Sequence, residues 1–235
     1  MGGLSFLCRA VCAAVLASLL PLAAAAEGLR VAPVLLEVVA PAAAGKLMLR
    51  NEGRAVMTVQ ARVYRWVQRN GTESLEPTRD VVVSPPMTRI APGASQTLRV
   101  VRTAKGRIRG EEAYRVIVDE VPDRRMTRSG RVNFATELRL PVFFVGAGAT
   151  APQLRWSIRG SGAGAVLVAR NTGDLHLRIA DVTLGGAVRR PGLLGYVLGG
   201  SVMQWPIGSG RLGSGAMRLR AQTNFGTLDV PLGRE

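Results

Sequence analysis

Between residues 27 and 145, apolar side chains return at every second position in run after run, and turn residues separate the runs. In residues 58–67 (TVQARVYRWV), Val59, Ala61, Val63, Arg65 and Val67 alternate with Gln60, Arg62, Tyr64 and Trp66. Successive side chains of a strand point to opposite faces, so a period of two specifies strands rather than helices. Residues 95–102 and 113–121 alternate in the same way, and residues 29–39, 46–50, 80–84 and 87–90 are further strand candidates. Pro33 suits an edge position in the first of these, because it has no N–H for a ladder. Asn51-Glu52-Gly53, Asn70-Gly71 and Ala91-Pro92-Gly93 supply turns, and Asn-Gly is a strong short hairpin signal. No stretch before Gly146 sustains a helical period. Roughly seven short strands with regular turns predict a β-sandwich.

The longest run is residues 131–145 (RVNFATELRLPVFFV). Val132, Phe134, Thr136, Leu138, Leu140, Val142 and Phe144 share one face of the predicted strand, an almost unbroken apolar row. Glu137 and Arg139 lie on the other face, so the strand is not buried throughout. An arginine held within a β-domain needs an anionic or carbonyl partner. The run ends at the small-residue stretch 146–150 (GAGAT). Beyond it, residues 153–158, 165–170, 176–184, 194–198, 202–205, 217–223 and 227–230 are strand candidates again, with Asn171-Thr172-Gly173 as a turn. The reading is therefore all-β, with two sandwiches: residues 27–147, then 148–235.

Residues 1–26 are expected to be a secretory signal peptide. Arg9 is the only charge ahead of an apolar run at residues 10–22, and Ala24-Ala25-Ala26 offers small side chains for cleavage before Glu27. A membrane anchor is the other reading of that length. Both cysteines, Cys8 and Cys12, lie in this leader, so the exported chain uses no disulfide and relies on its core. The formal net charge of +15 favours anionic partners. Its arginines are scattered, however, and the aromatic residues are too few for base-stacking platforms. An arginine-rich proteome would give the same count without nucleic-acid binding.

Catalytic signatures are lacking. His176 is the only histidine and, with no cysteine in the exported chain, builds no recognisable zinc site or triad. It is read as structural. There is no HExxH, GxSxG or Walker-type phosphate loop, and no GxGxxG between a strand and a helix. The carboxylate pairs Glu111-Glu112 and Asp119-Glu120 do not form an acid/base couple. No enzyme, cofactor or metal is expected.

Several blocks in fixed order carry a resemblance: Val83-Ser84-Pro85-Pro86, then Ile90-Ala91-Pro92-Gly93 with Gln96-Thr97-Leu98-Arg99-Val100, then residues 110–122 (GEEAYRVIVDEVP), then Leu138-Arg139-Leu140-Pro141-Val142-Phe143. Over residues 29–230 the chain resembles the periplasmic chaperones of the chaperone–usher pathway. Tyr114-Arg115 with Asp119-Glu120 and Pro122 is more similar to the archaic branch. The resemblance implies two immunoglobulin-like domains in an L, and a function: stabilising fimbrial subunits by donor-strand complementation and passing them to an outer-membrane usher. It implies subunit binding by Val132, Phe134, Thr136 and Leu138, with alternate side chains filling the subunit's groove. It places Arg139 where the family anchors the subunit's C-terminal carboxylate. The family's second cleft residue falls near Leu35, which cannot bind a carboxylate, leaving Arg30 or Arg89 to substitute. The family's interdomain salt bridge maps to Arg99 and Glu112, with its third member near Asn224.

The implied location is the periplasm, with no stable membrane insertion and no nucleic-acid partner. An exposed apolar edge also invites self-association. The rival reading is a secreted two-domain β-sandwich that binds or adheres without chaperone activity.

Overall fold

The computed structural model of the chain describes residues 28–122, 136–161, 164–186, 188–207 and 217–234. Pro33 divides the expected first strand in two, β1 (Leu29–Ala32) and β2 (Leu36–Val39). The break lets the chain change sheets. β1 pairs antiparallel with β3 (Ala44–Asn51), whereas β2 runs parallel to the far end of β10 (Glu137–Val145).

Between them come β4 (Met57–Arg69), β5 (Thr72–Pro77), β6 (Val81–Ser84), β7 (Met87–Ile90), β8 (Ser95–Arg102) and β9 (Glu111–Glu120). The first sheet has the order β1-β3-β8-β6. The second has the order β2-β10-β9-β4-β5, with β7 also on β4. Asn70 and Gly71 turn β4 into β5 with φ of 54° and 82°. That is the left-handed pair a tight hairpin demands. The sequence had signalled this turn but not β5, whose polar residues 72–77 (TESLEP) lack alternation.

Alternation fixes what is buried. Leu47 and Leu49 of β3, Leu98 and Val100 of β8, Val116 and Val118 of β9, and Val142 and Phe144 of β10 meet in one core. Each large apolar side chain so buried contributes roughly 1.5–3 kcal/mol.

After Val145 the chain builds a second pair of sheets. The third has the order β15 (Val202–Pro206), β12 (Val166–Asn171), β11 (Leu154–Arg159), β18 (Gly233–Arg234). The fourth has the order β14 (Val188–Val197), β13 (Leu177–Leu184), β16 (Arg218–Thr223), β17 (Gly226–Pro231). Its core is separate and holds Ile158, Leu167, Ile179, Leu184, Val197 and Leu219.

The connection is fastened at both ends. A Cβ on Gly146 would stand 2.4 Å from the Ile108 carbonyl oxygen, so only glycine lets β10 end there. Asp174 accepts from the Thr150 amide (2.8 Å) and the Thr150 hydroxyl (2.7 Å). Those bonds, the backbone one first, hold the Asp174 carboxyl below its usual range.

Candidate functional site

β10 has two halves with different surroundings. From Val142 to Val145 it lies between β9 and β2. From Glu137 to Pro141 it has β9 as its only strand neighbour among the described residues. The ladder to β9 continues one residue further, where the Glu120 amide donates to the Thr136 carbonyl at 2.9 Å. Among the described residues the opposite edge of this half has no strand partner, and such an edge is a template for another strand.

The predicted apolar row lies only in part among the described residues. Leu140, Val142 and Phe144 are buried in the chain's own core, and Leu138 packs against it half-buried. Thr136 is half-exposed, and Val132 and Phe134 lie outside the described residues. The reverse face is not simply polar. Pro141 and Phe143 are buried, and Val145 packs into a cluster that joins the two sandwiches.

Arg139 projects from the outer face of the second sheet with its side chain 61% exposed, and its Nε donates to Glu137 at 2.6 Å. This bond holds the Glu137 carboxyl below its usual range. Arg139 stands opposite Ile117 and Arg115 stands opposite Pro141, so the two arginines are diagonal neighbours across the β9–β10 pair. The Arg115 side chain is only 16% exposed. Its guanidinium lies 3.8 Å over the Trp66 ring, with the Glu73 carboxylate 3.8 Å away. Burial lowers the Arg115 pKa, and the Arg139 charge adds to that effect against the pull of Glu73. Arg115 thus sets a guanidinium in a partly desolvated place, a setting suited to a carboxylate.

Neither substitute considered from the sequence joins Arg139. Arg30 is on β1 in the other sheet and pairs with Glu52 at 3.3 Å. Arg89 is on β7, separated from β10 by β4 and β9. Leu35 packs into the joining cluster. Arg115 was missed because an arginine in an alternating strand looks like a solvated face. Its neighbours Trp66 and Glu73 come from a different hairpin.

The expected Arg99–Glu112 bridge is corrected. Leu98 and Val100 point into the core, so Arg99 between them points outward and is exposed. Glu112 instead receives a bidentate fork from Arg102, with both N–O distances 2.8 Å, and a bond from the Tyr114 hydroxyl at 3.1 Å. All three residues belong to the first sandwich, so this bridge does not span the domains.

The spanning contact comes from the next residue back. Glu111 accepts from the His176 amide at 3.1 Å and lies 2.8 Å from His176 Nδ1, and both side chains are 2% exposed. Asn224 Nδ2 approaches His176 Nε2 at 3.4 Å, so a proton on Nδ1 satisfies both contacts. The imidazole stacks on Phe143 at 3.7 Å. Beside it, Gln68 donates to the Tyr196 carbonyl and accepts from the Leu198 amide, each at 2.9 Å. His176 is structural, as expected, but its place between the domains was not legible. Glu111 lies 65 positions away in sequence.

Among the described residues no cluster of three or more His, Cys, Asp or Glu side chains could hold a metal ion, and no helix is long and apolar enough to cross a membrane.

Comparison with curated proteins returned no match. The closely superposable solved structures include the chaperone–tip adhesion subunit complex CsuC–CsuE from the archaic chaperone–usher Csu pili of Acinetobacter baumannii. It is 22% identical with a TM-score of 0.72, covering 88% of this chain and 99% of that one. The SafA pilin–SafB chaperone complex of Salmonella enterica matches at 21% identity and a TM-score of 0.64, covering 88% and 97%. The E. coli chaperone DraB matches at 17% and 0.60, covering 88% and 97%. At these identities the likeness is one of fold, and the fold is that of the two-domain, immunoglobulin-like pilus chaperones. The family model described as "Pili and flagellar-assembly chaperone, PapD N-terminal domain" matches residues 28–149, more than half of the sequence. With its two sandwiches and its half-open β10, this chain belongs to the family of PapD-like pilus-assembly chaperones, which are binding proteins and not enzymes.

Proposed function

We propose that this protein captures fimbrial subunits in the periplasm by donor-strand complementation and delivers them to an outer-membrane usher. The observation that carries the reading is the single-sided pairing of Glu137–Pro141. A subunit lacking one strand pairs its main chain with that edge and takes the apolar residues upstream of Leu138, Phe134 foremost, into its groove. Arg115 and Arg139 receive the subunit's terminal carboxylate. The unpaired edge is also open to a second copy when no subunit is present. The likeness to the Csu chaperone complex and the Tyr114–Pro122 block favour the archaic branch.

Delivery needs a surface that capture leaves free, and the outer face of the first sheet is one. Arg30 stands opposite Arg50 and Lys46 opposite Arg99, with Met48 (54% exposed) and Val82 (44% exposed) among them. Like charges directly opposite each other destabilise a sheet. A partner presenting acidic and apolar groups would relieve that repulsion, and the usher is the partner assigned to this face.

The test is co-expression with a candidate subunit and recovery of the complex from the periplasm. Phe134→Glu is expected to abolish recovery while the chaperone itself remains folded. Undiminished recovery would remove Phe134 from the lending segment and, with it, the proposed mode of capture.

A further inference from the structure

The second sandwich is not closed along its length. Among the described residues β17 has β16 as its only strand partner, leaving the other edge of Gly226–Pro231 free. On the facing sheet, β18 covers only Ser157 and Ile158 of β11. Between these edges opens a cleft of about 330 Å³. This is at the lower end of the range for sites that bury a specific ligand.

The cleft is lined by the half-buried Leu154, Leu228 and Val230, which pack against the second core, and by Trp156 and Thr227. Phe225, 54% exposed, lines it as well. No charged side chain lines it, on a chain of net charge +15. Trp156 is 7% exposed, and its Nε1–H is the one buried side-chain polar group with no partner among the described residues. Buried indole N–H groups ordinarily find an acceptor. The free strand edge and the apolar slot adjoin, and the indole that carries the unanswered donor forms part of the slot's wall.

We infer that this seam docks an extended, uncharged segment of a partner polypeptide. The segment pairs with the free edge of β17 and seats one large apolar side chain against Leu154, Leu228 and Val230. One of its carbonyl oxygens accepts from Trp156 Nε1. The site lies in the other domain from β10 and does not depend on strand lending there, so the two readings stand or fall separately.

Nuclear magnetic resonance of the isotopically labelled protein tests it. Trp156 is one of three tryptophans, and Trp156→Phe identifies its indole signal by loss. The probe is the blocked peptide acetyl-Thr-Val-Thr-Phe-Thr-Val-Thr-amide. It is expected to move the Trp156 indole signal and to slow amide exchange at alternate residues of β17. Replacing the peptide's phenylalanine by serine should weaken binding at least about tenfold, as loss of a buried aromatic contact would. Phe225→Ser in the protein should weaken binding of the original peptide and leave the rest of the spectrum in place. The inference is overturned if the peptide leaves Trp156 and β17 unchanged. It is equally overturned if octyl glucoside below its micelle concentration moves the indole signal and the peptide does not, which would make the cleft an amphiphile site. A shift that follows protein concentration alone would assign the seam to a second copy and sink it too.

Discussion

At the scale of single residues, two arginines and one glutamate divide the work. Arg139 and Arg115 are the proposed partners of the subunit's carboxylate, one exposed and one held over Trp66. A hydrogen bond to a charged group contributes about 1.5–3 kcal/mol, so Arg139→Ala and Arg115→Met should each weaken subunit binding about tenfold or more. Arg124→Ala, at a position between β9 and β10 in sequence and outside the described residues, should leave it unchanged. Competition binding with a subunit, and with the same subunit amidated at its C-terminus, checks this; amidation should erase the difference between the variants. Glu112 acts on stability instead. The Arg102 fork holds its carboxyl below the usual range despite burial. The folded pKa is therefore below the unfolded one. Its stabilisation is complete above the ordinary carboxylate value of about 4.3 and is lost as pH falls through the depressed value. Thermal unfolding of Glu112→Gln should show a deficit at pH 7 that closes on acidification below pH of about 4. A deficit independent of pH would contradict the role given to the fork.

At the scale of the element, β10 is one strand with two surroundings. Leu140 is buried in the first core. Leu140→Ala is expected to cost about 2–5 kcal/mol, since a cavity forms where neighbours cannot collapse. Thr136, four residues upstream and half-exposed, should tolerate alanine within about 0.5 kcal/mol, as surface positions do. Denaturant unfolding of the two variants measures the split. Equal losses would mean that the strand is embedded along its whole length. The sequence showed the period of two along residues 131–145 and its apolar row. It could not show where the strand's second neighbour gives way to an open edge, because that depends on β2 beginning only at Leu36, opposite Val142. Nor did it show that residues 29–39 form two strands: Pro33 signals only an edge position, and the structure places it at the break between β1 and β2.

At the scale of the whole molecule, the domains are joined by a small set of buried polar contacts around aromatic rings. His176 is the centre, held by Glu111, approached by Asn224 and stacked on Phe143. His176→Ala would leave the Glu111 carboxylate buried with one acceptor unanswered, a penalty of about 1–3 kcal/mol. Both cores should survive, so calorimetry should show the sandwiches unfolding in separated steps where the parent unfolds more cooperatively. An unaltered profile would show that the coupling runs through Gln68 and Trp66 instead.

What the sequence determined by itself was local and periodic. Alternation named the strands, Asn70-Gly71 named a turn, and the ordered blocks from Val83 to Phe143 named the family. Tertiary structure decided which polar residues meet. Arg102 rather than Arg99 reaches Glu112, Glu111 reaches His176, and Arg115 comes to lie beside Arg139. These pairings follow from sheet register and the docking of two sandwiches, which set side chains from distant strands within a few ångströms. A period of two fixes the face on which a side chain lies, and leaves open which strand will stand beside it.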